Sequence, residues 1–141
     1  MKIKIMKLDE GAKVPMYACP GDAGMDLFSN EDVLILPGKR VLISTGICVE
    51  FPEEFVALIW DKSGIALKKG LTKIAGVIDS SYRGEWKIAL FNLGNEKVQM
   101  NKGDKIAQVL FQRIEKAQIE IVENLSETSR GEGGFGSTGD K

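Results

Sequence analysis

No stretch of this chain sustains the apolar repeat of a long amphipathic helix. Its apolar residues come in short runs rich in Val, Ile, Leu and Phe, most of them separated by turn residues such as Gly, Pro and Asn. IKIMKL (3–8) precedes a loop through Pro15 and Pro20. VLIL (33–36) stops at Pro37-Gly38, and RVLISTGICVEF (40–51) stops at Pro52. FVALIW (55–60), WKIALFNL (86–93), KIAQVLFQRI (105–114) and QIEIVENL (118–125) follow. Runs of this length between turn residues predict an all-β barrel or sandwich. One short helix is predicted over SGIALKKG (63–70), where Ala, Leu and two lysines favour it and Gly70 can close it. No internal repeat is present.

A length of 141 residues fits one domain, and a net charge of −1 gives no general attraction to nucleic acid or membrane surfaces. No apolar run is long enough to span a membrane. MKIKIMKL alternates lysine with apolar residues and reads as a strand rather than a signal peptide. Cys19 and Cys48 are too few for a disulfide framework. A reducing, cytoplasmic setting is therefore expected.

The count that most narrows the chemistry is that of histidine, which is zero. Ser-His-Asp and Cys-His catalysis, a histidine base and histidine-bound zinc are all excluded. Catalysis would rest on carboxylates, hydroxyls, Lys, Arg and backbone groups, with any metal a hard, oxygen-bound ion such as Mg²⁺.

Several segments are candidates for that chemistry. Asp26 in AGMDLFS (23–29) reads by itself as a turn cap. Ser63 and Gly64 open the predicted helix, either as a simple capped end or as an anion site. GVIDSSYRGEW (76–86) predicts two strand-like halves around a turn at Ser80-Ser81, with Asp79 at its mouth and Tyr82 just beyond. Gln108 interrupts an apolar strand and is either a satisfied structural amide or a ligand group. RGEGGFGSTG (130–139) is half glycine, yet it holds Arg130, Phe135, Ser137 and Thr138. It reads either as a disordered tail or as a phosphate grip with an aromatic face for a base.

Taken in order, AGMDLFS, DKSGIALKKG (61–70), GVIDSSYRGE (76–85), GDKIAQVLF (103–111) and RGEGGFGSTG resemble the five motifs of the homotrimeric dUTP pyrophosphatase (dUTPase) family. The resemblance runs from residue 23 to the tail. It implies a jelly-roll-like β domain over 1–125, a mobile lid over 126–141, and a homotrimer with shared active sites. It also implies hydrolysis of dUTP to dUMP and pyrophosphate, with Mg²⁺ on the triphosphate, limiting uracil in DNA and supplying dUMP. Asp79 matches the water-activating aspartate; a carboxylate can serve as base at neutral pH.

By the same resemblance Gly76, Val77, Ile78 and Asp79 form the hairpin that binds uracil, and Tyr82 lies against the deoxyribose. Lys73 and Lys87 are further substrate contacts. Lys62, Ser63, Gly64 and Gln108 hold phosphates or water, and Asp26 reaches the metal through water. Arg130, Gly136, Ser137 and Thr138 grip the phosphate end while Phe135 covers uracil. Lys62 stands where the family usually has arginine, keeping the charge without the two-pronged geometry. Ser81 stands where aspartate is usual. The rival readings are a dCTP deaminase or bifunctional deaminase-dUTPase of the same fold, and a nucleotide-gated regulatory binding protein.

Overall fold

The computed structural model describes residues 1–134. Eleven strands and one helix follow in chain order: β1 (Lys4–Lys7), β2 (Met25–Phe28), β3 (Val33–Ile35), β4 (Arg40–Ser44), β5 (Ile47–Glu50), β6 (Phe55–Trp60), α1 (Ser63–Lys69), β7 (Leu71–Lys73), β8 (Val77–Ile78), β9 (Lys87–Asn92), β10 (Val98–Met100) and β11 (Lys105–Arg113). They pair only antiparallel, as β2-β11-β6-β8, β4-β9-β7, β1-β5 and β10-β3. The result is the expected all-β, jelly-roll-like domain with one short helix. No helix among the described residues is long and apolar enough to cross a membrane.

Alternation along the strands fills the core. In β9, Ile88, Leu90 and Asn92 are buried while Lys87, Ala89 and Phe91 lie outward. Phe51, Trp86 and Phe111 close the core where the sheets meet. Phe51 stands edge-on to both others, at ring separations of 6.3 and 5.1 Å. Asn92, fully buried, is the polar member of the inward row of β9. Its amide donates to the carbonyls of Ile35 (3.0 Å) and Glu96 (2.8 Å), and its oxygen accepts the Gly94 N–H (2.9 Å). It thereby ties β9 to β3 and to the turn that follows. Asn92→Ala would leave these groups unpaired in the interior and is expected to cost about 2–4 kcal/mol. Urea unfolding at fixed protein concentration measures it.

The strands depart from the sequence reading in four places. RVLISTGICVEF is not one strand. Gly46 adopts φ +68°, with Asn30 and Ala12 within 3 Å of where a Cβ would lie. The chain therefore turns there, and β4 and β5 join different sheets. AGMDLFS holds a buried strand, so Asp26 is no turn cap. The second half of GVIDSSYRGEW forms no strand before Lys87: β8 pairs with β6, whereas β9 pairs with β4 and β7. QIEIVENL forms none either, and Ile119, Ile121 and Leu125 are 91, 96 and 87 % exposed. No strand edge among the described residues receives it. The last strand among the described residues thus ends at Arg113.

The helix lies where expected. Lys62 is its extended N-cap and makes no side-chain cap bond, so Ser63 is the first helical residue rather than the cap. Gly70 closes it at φ +67°, where a Cβ would meet the Gly94 nitrogen at 2.8 Å.

Candidate active site

Asp79 is the first residue of a turn that hangs between two sheets. The turn is closed by the Tyr82 N–H donating to the Asp79 carbonyl at 3.1 Å, and Asp79 itself is exposed. The far end of the loop is pinned to the bend between β4 and β5. There the Glu85 carboxylate accepts the Ser44 hydroxyl and the Gly46 N–H (2.9 Å), and Lys87 Nζ stands 3.5 Å away. The Trp86 N–H donates to Ile47 O at 2.9 Å, and the Thr45 hydroxyl donates to Trp86 O. Within the loop, the Tyr82 hydroxyl donates to Glu85 O at 3.1 Å. The phenol is thus committed, and the ring face is what Tyr82 presents outward.

Asp79, Tyr82, Glu85, Lys87, Val77 and Ile78 line a cleft of about 400 Å³ with Leu42 and Trp86. A narrower groove of about 190 Å³ lies beside it, along Gly76–Ile78 between Lys73 and Lys87. Its backbone is tightly set. The Gly76 (φ +138°) carbonyl oxygen accepts the Ile59 N–H at 2.7 Å, and Ala75 is held at φ +64°. That left-handed alanine carries local strain of about 1–3 kcal/mol, in the pattern of functional loops.

A second cleft of about 400 Å³ is lined by Asp22, Asp26, Asp61, Lys62, Gln108 and Trp60, among others. Strand register builds it. Gln108 lies opposite Asp26 on one side and Trp60 on the other, so the three side chains share one face of the sheet. Gln108 Nε2 donates to Asp61 O at 2.9 Å, and the Asp61 carboxylate accepts the Thr72 hydroxyl (2.7 Å) and the Lys73 N–H (2.6 Å). Asp26 is only 3 % exposed. Lys62 Nζ lies 2.6 Å from its Oδ1 as a hydrogen-bonded pair. Lys105 Nζ lies 2.6 Å from Oδ2, a close charge contact without hydrogen-bond alignment. Burial pushes the Asp26 carboxyl up, but the two lysines together outweigh it and hold it below the usual carboxylate range.

Glu85 is also held low. Burial raises it; the Ser44 hydroxyl, the Gly46 N–H and Lys87 more than offset that. Carboxyls depressed by folding add stability that is present above their unfolded pKa and lost as pH falls through the folded one. Thermal stability is therefore expected to fall as pH drops through and below about 4. Asp26→Asn should lower stability at pH 7 and flatten that acid slope, which melting curves between pH 7 and 3 would read.

Among the described residues no group of three or more His, Cys, Asp or Glu side chains could hold a metal ion. Asp26 is already engaged by two lysines on its two oxygens. Its remaining lone pairs suit a water on a hydrated cation, not direct coordination.

The residues singled out in the sequence therefore fall into two sets. Lys73, Gly76, Val77, Ile78, Asp79, Tyr82 and Lys87 gather around the groove and its cleft. Asp26, Lys62 and Gln108 gather in the other, with exposed Ser63 and Gly64 following Lys62. Arg130 joins neither. It lies exposed in a turn of its own, with Nε donating to Gly133 O at 2.8 Å. Phe135, Gly136, Ser137 and Thr138 lie outside the described residues. Lys105, Glu85 and Asp61 escaped the sequence reading. All three sit inside quoted motifs, but only the tertiary fold gives them their partners: strand register for Lys105, the β4–β5 bend for Glu85, and β7 for Asp61.

A family model described as dUTPase matches residues 10–139. The deoxyuridine 5'-triphosphate nucleotidohydrolase of Clostridium tetani is 54% identical over 99% of this chain and 96% of its own length. That of Hydrogenobaculum sp. is 46% identical over the whole of both chains. The Staphylococcus bacteriophage 80alpha dUTPase with dUPNHPP superimposes at a TM-score of 0.92, with 28% identity and 98% of each chain covered. A mutant dUTPase of phage phi11 of S. aureus, described with a structural Mg(II) ion, superimposes at 0.84 with 27% identity, over 90% of this chain and 100% of that one.

Proposed function

Because the chain belongs to the dUTPase family, we propose that it hydrolyses dUTP to dUMP and pyrophosphate, with Asp79 as the base that activates water. The observation that carries this reading is the placement of Asp79. It stands exposed at the mouth of a cleft it shares with Tyr82, beside a groove edged by the Gly76–Ile78 backbone. The backbone groups along Gly76–Ile78 that are not paired with β6 would meet the edge of uracil, and so narrow a groove would leave no room for a 5-methyl group. Lys73 and Lys87 flank the nucleoside. Asp79 takes a proton from water as the water oxygen bonds to the α-phosphorus. The bond from that phosphorus to the α–β bridging oxygen breaks, and pyrophosphate leaves with the electron pair.

The second cleft takes the phosphates. Lys62 supplies charge, Ser63 and Gly64 supply free N–H groups at the start of α1, and Gln108 orients water or a phosphate oxygen. Mg²⁺ bound to the triphosphate would draw charge from the phosphate oxygens, with Asp26 meeting its hydration shell. Arg130, Gly136, Ser137 and Thr138 hold the phosphate end and Phe135 covers uracil, the stretch 126–141 serving as the lid.

The assembly is a homotrimer whose sites are shared between subunits. Two features support this. The two sets of site residues line separate clefts on one chain. The segment 118–125 has a strand-like sequence and bare Ile119, Ile121 and Leu125, which a neighbouring subunit could cover. Soluble cytoplasmic action on free nucleotide fits the near-neutral charge.

Pyrophosphate release measured across dUTP, dTTP, dCTP and UTP tests the reading, with ammonia followed in parallel. dUTP alone should turn over efficiently and no ammonia should appear; ammonia from dCTP would turn the reading to a deaminase. Tyr82 is expected to exclude UTP by the bulk of its ring, since its hydroxyl is spoken for by Glu85. Tyr82→Ala should raise the UTP to dUTP ratio of kcat/KM about tenfold or more, and Tyr82→Phe should leave it near the parent value. An unmoved ratio in Tyr82→Ala would reduce Tyr82 to packing.

A further inference from the structure

We infer that Lys105 is a positioning residue for substrate binding: it neutralises buried Asp26 from behind the cleft, so that the charge of Lys62 remains available to the triphosphate. The inference rests on the reading of Lys62 as a phosphate contact and adds a residue to it. A carboxylate that is 3 % exposed needs a compensating cation. Were Lys62 the only one, the pair would be neutral and Lys62 would be spent on Asp26. Lys105 makes the cluster of one carboxylate and two ammonium groups net positive, each nitrogen 2.6 Å from its own oxygen.

The backbone is arranged to allow this. Gln108 opposes Asp26, and in a regular antiparallel ladder Ile106 would oppose Phe28 and share that face. Instead the register shifts between Lys105 and Ala107, and Lys105 opposes Phe28. The extra residue sends Ile106 into the core, at 2 % exposure, and turns Lys105 to the side of Asp26. Lys105 does not line the cleft that Lys62, Gln108 and Asp26 share. It faces Asp26, with Cys19 and Asp22 the next acidic or thiol groups near it. Asp26 in turn is faced by Lys62 and Lys105. Lys105 is thus placed to act through Asp26 rather than on phosphate.

The test is a double-mutant cycle on the full-length enzyme. It is read by calorimetric binding of the non-hydrolysable α,β-imido analogue of dUTP at low and high salt, together with kcat and KM. Lys105→Met should weaken analogue binding and raise KM about threefold to tenfold at low salt, less at 0.5 M salt, with kcat within about twofold. Lys105→Arg should restore binding. In the Asp26→Asn background the same Lys105→Met change should have less than about a twofold effect, because the charge it neutralises is gone. If Lys105→Met fails to fold, Lys105→Gln carries the same comparison.

Lys105→Met with unchanged affinity overturns the inference. So does an effect that keeps its full size in Asp26→Asn, which would put Lys105 on the ligand directly. Lys62→Met separates the two readings. If it leaves affinity unchanged, the phosphate role of Lys62 has failed. If it weakens binding while Lys105→Met does not, only the role of Lys105 has failed.

Discussion

Asp79→Asn is expected to cut dUTP turnover by about a hundredfold or more while leaving the fold and the binding of dUTP intact. Asparagine keeps the shape of the side chain but cannot accept the proton of the attacking water. Asp79 is exposed, and its backbone carbonyl rather than its carboxylate closes the turn with Tyr82. The substitution therefore removes no contact that holds the loop. Melting temperature and analogue affinity should stay near the parent values as kcat collapses. Turnover within about tenfold of the parent would place the base elsewhere.

The second large effect concerns the C-terminal stretch. A chain ending at Ser129 should fold, because β11 ends at Arg113 and the described residues beyond 129 add nothing to the core. It should lose most activity, since Arg130, Phe135, Gly136, Ser137 and Thr138 go with the cut. If each site takes Asp79 and the tail from different subunits, the cut chain and the Asp79→Asn chain can rescue each other. Unfolded together in equal amounts and refolded, they form mixed trimers in which each site draws the two parts independently. About one site in four is then whole, so about a quarter of parent activity should return. Mixed trimers, verified by mass, that stay as dead as the separate mutants would rule out shared sites.

Much of this architecture could be read from the chain, and the misses share a cause. β6 runs over the six residues that FVALIW predicts, since β-branched and aromatic side chains between Pro52 and a helix start leave little choice. α1 also falls where Ala, Leu, Lys and a closing glycine put it. RVLISTGICVEF misled because Gly46 looks like a weak strand residue, whereas its positive φ sends the chain into another sheet. QIEIVENL misled because alternation shows what a segment could pair with, not whether its own chain offers an edge.

The site divides along the same line. Motif order marked Asp79, Tyr82, Lys62 and Gln108, because each chemical role demands a particular side chain at a particular place in the sequence. Asp26 was marked too, but its burial and its two lysines were not foreseeable. They depend on β2 pairing with β11 at one register and on a single extra residue before Ala107. Glu85 likewise gains its partners from residues 39 and 41 positions earlier. Composition and motif thus determined the class of fold and the family, and marked the residue types proposed to perform its reaction. Only the tertiary structure decided which charges meet. Side-chain period in a strand is two, so one inserted residue exchanges core for cleft, and no local pattern in the sequence records that choice.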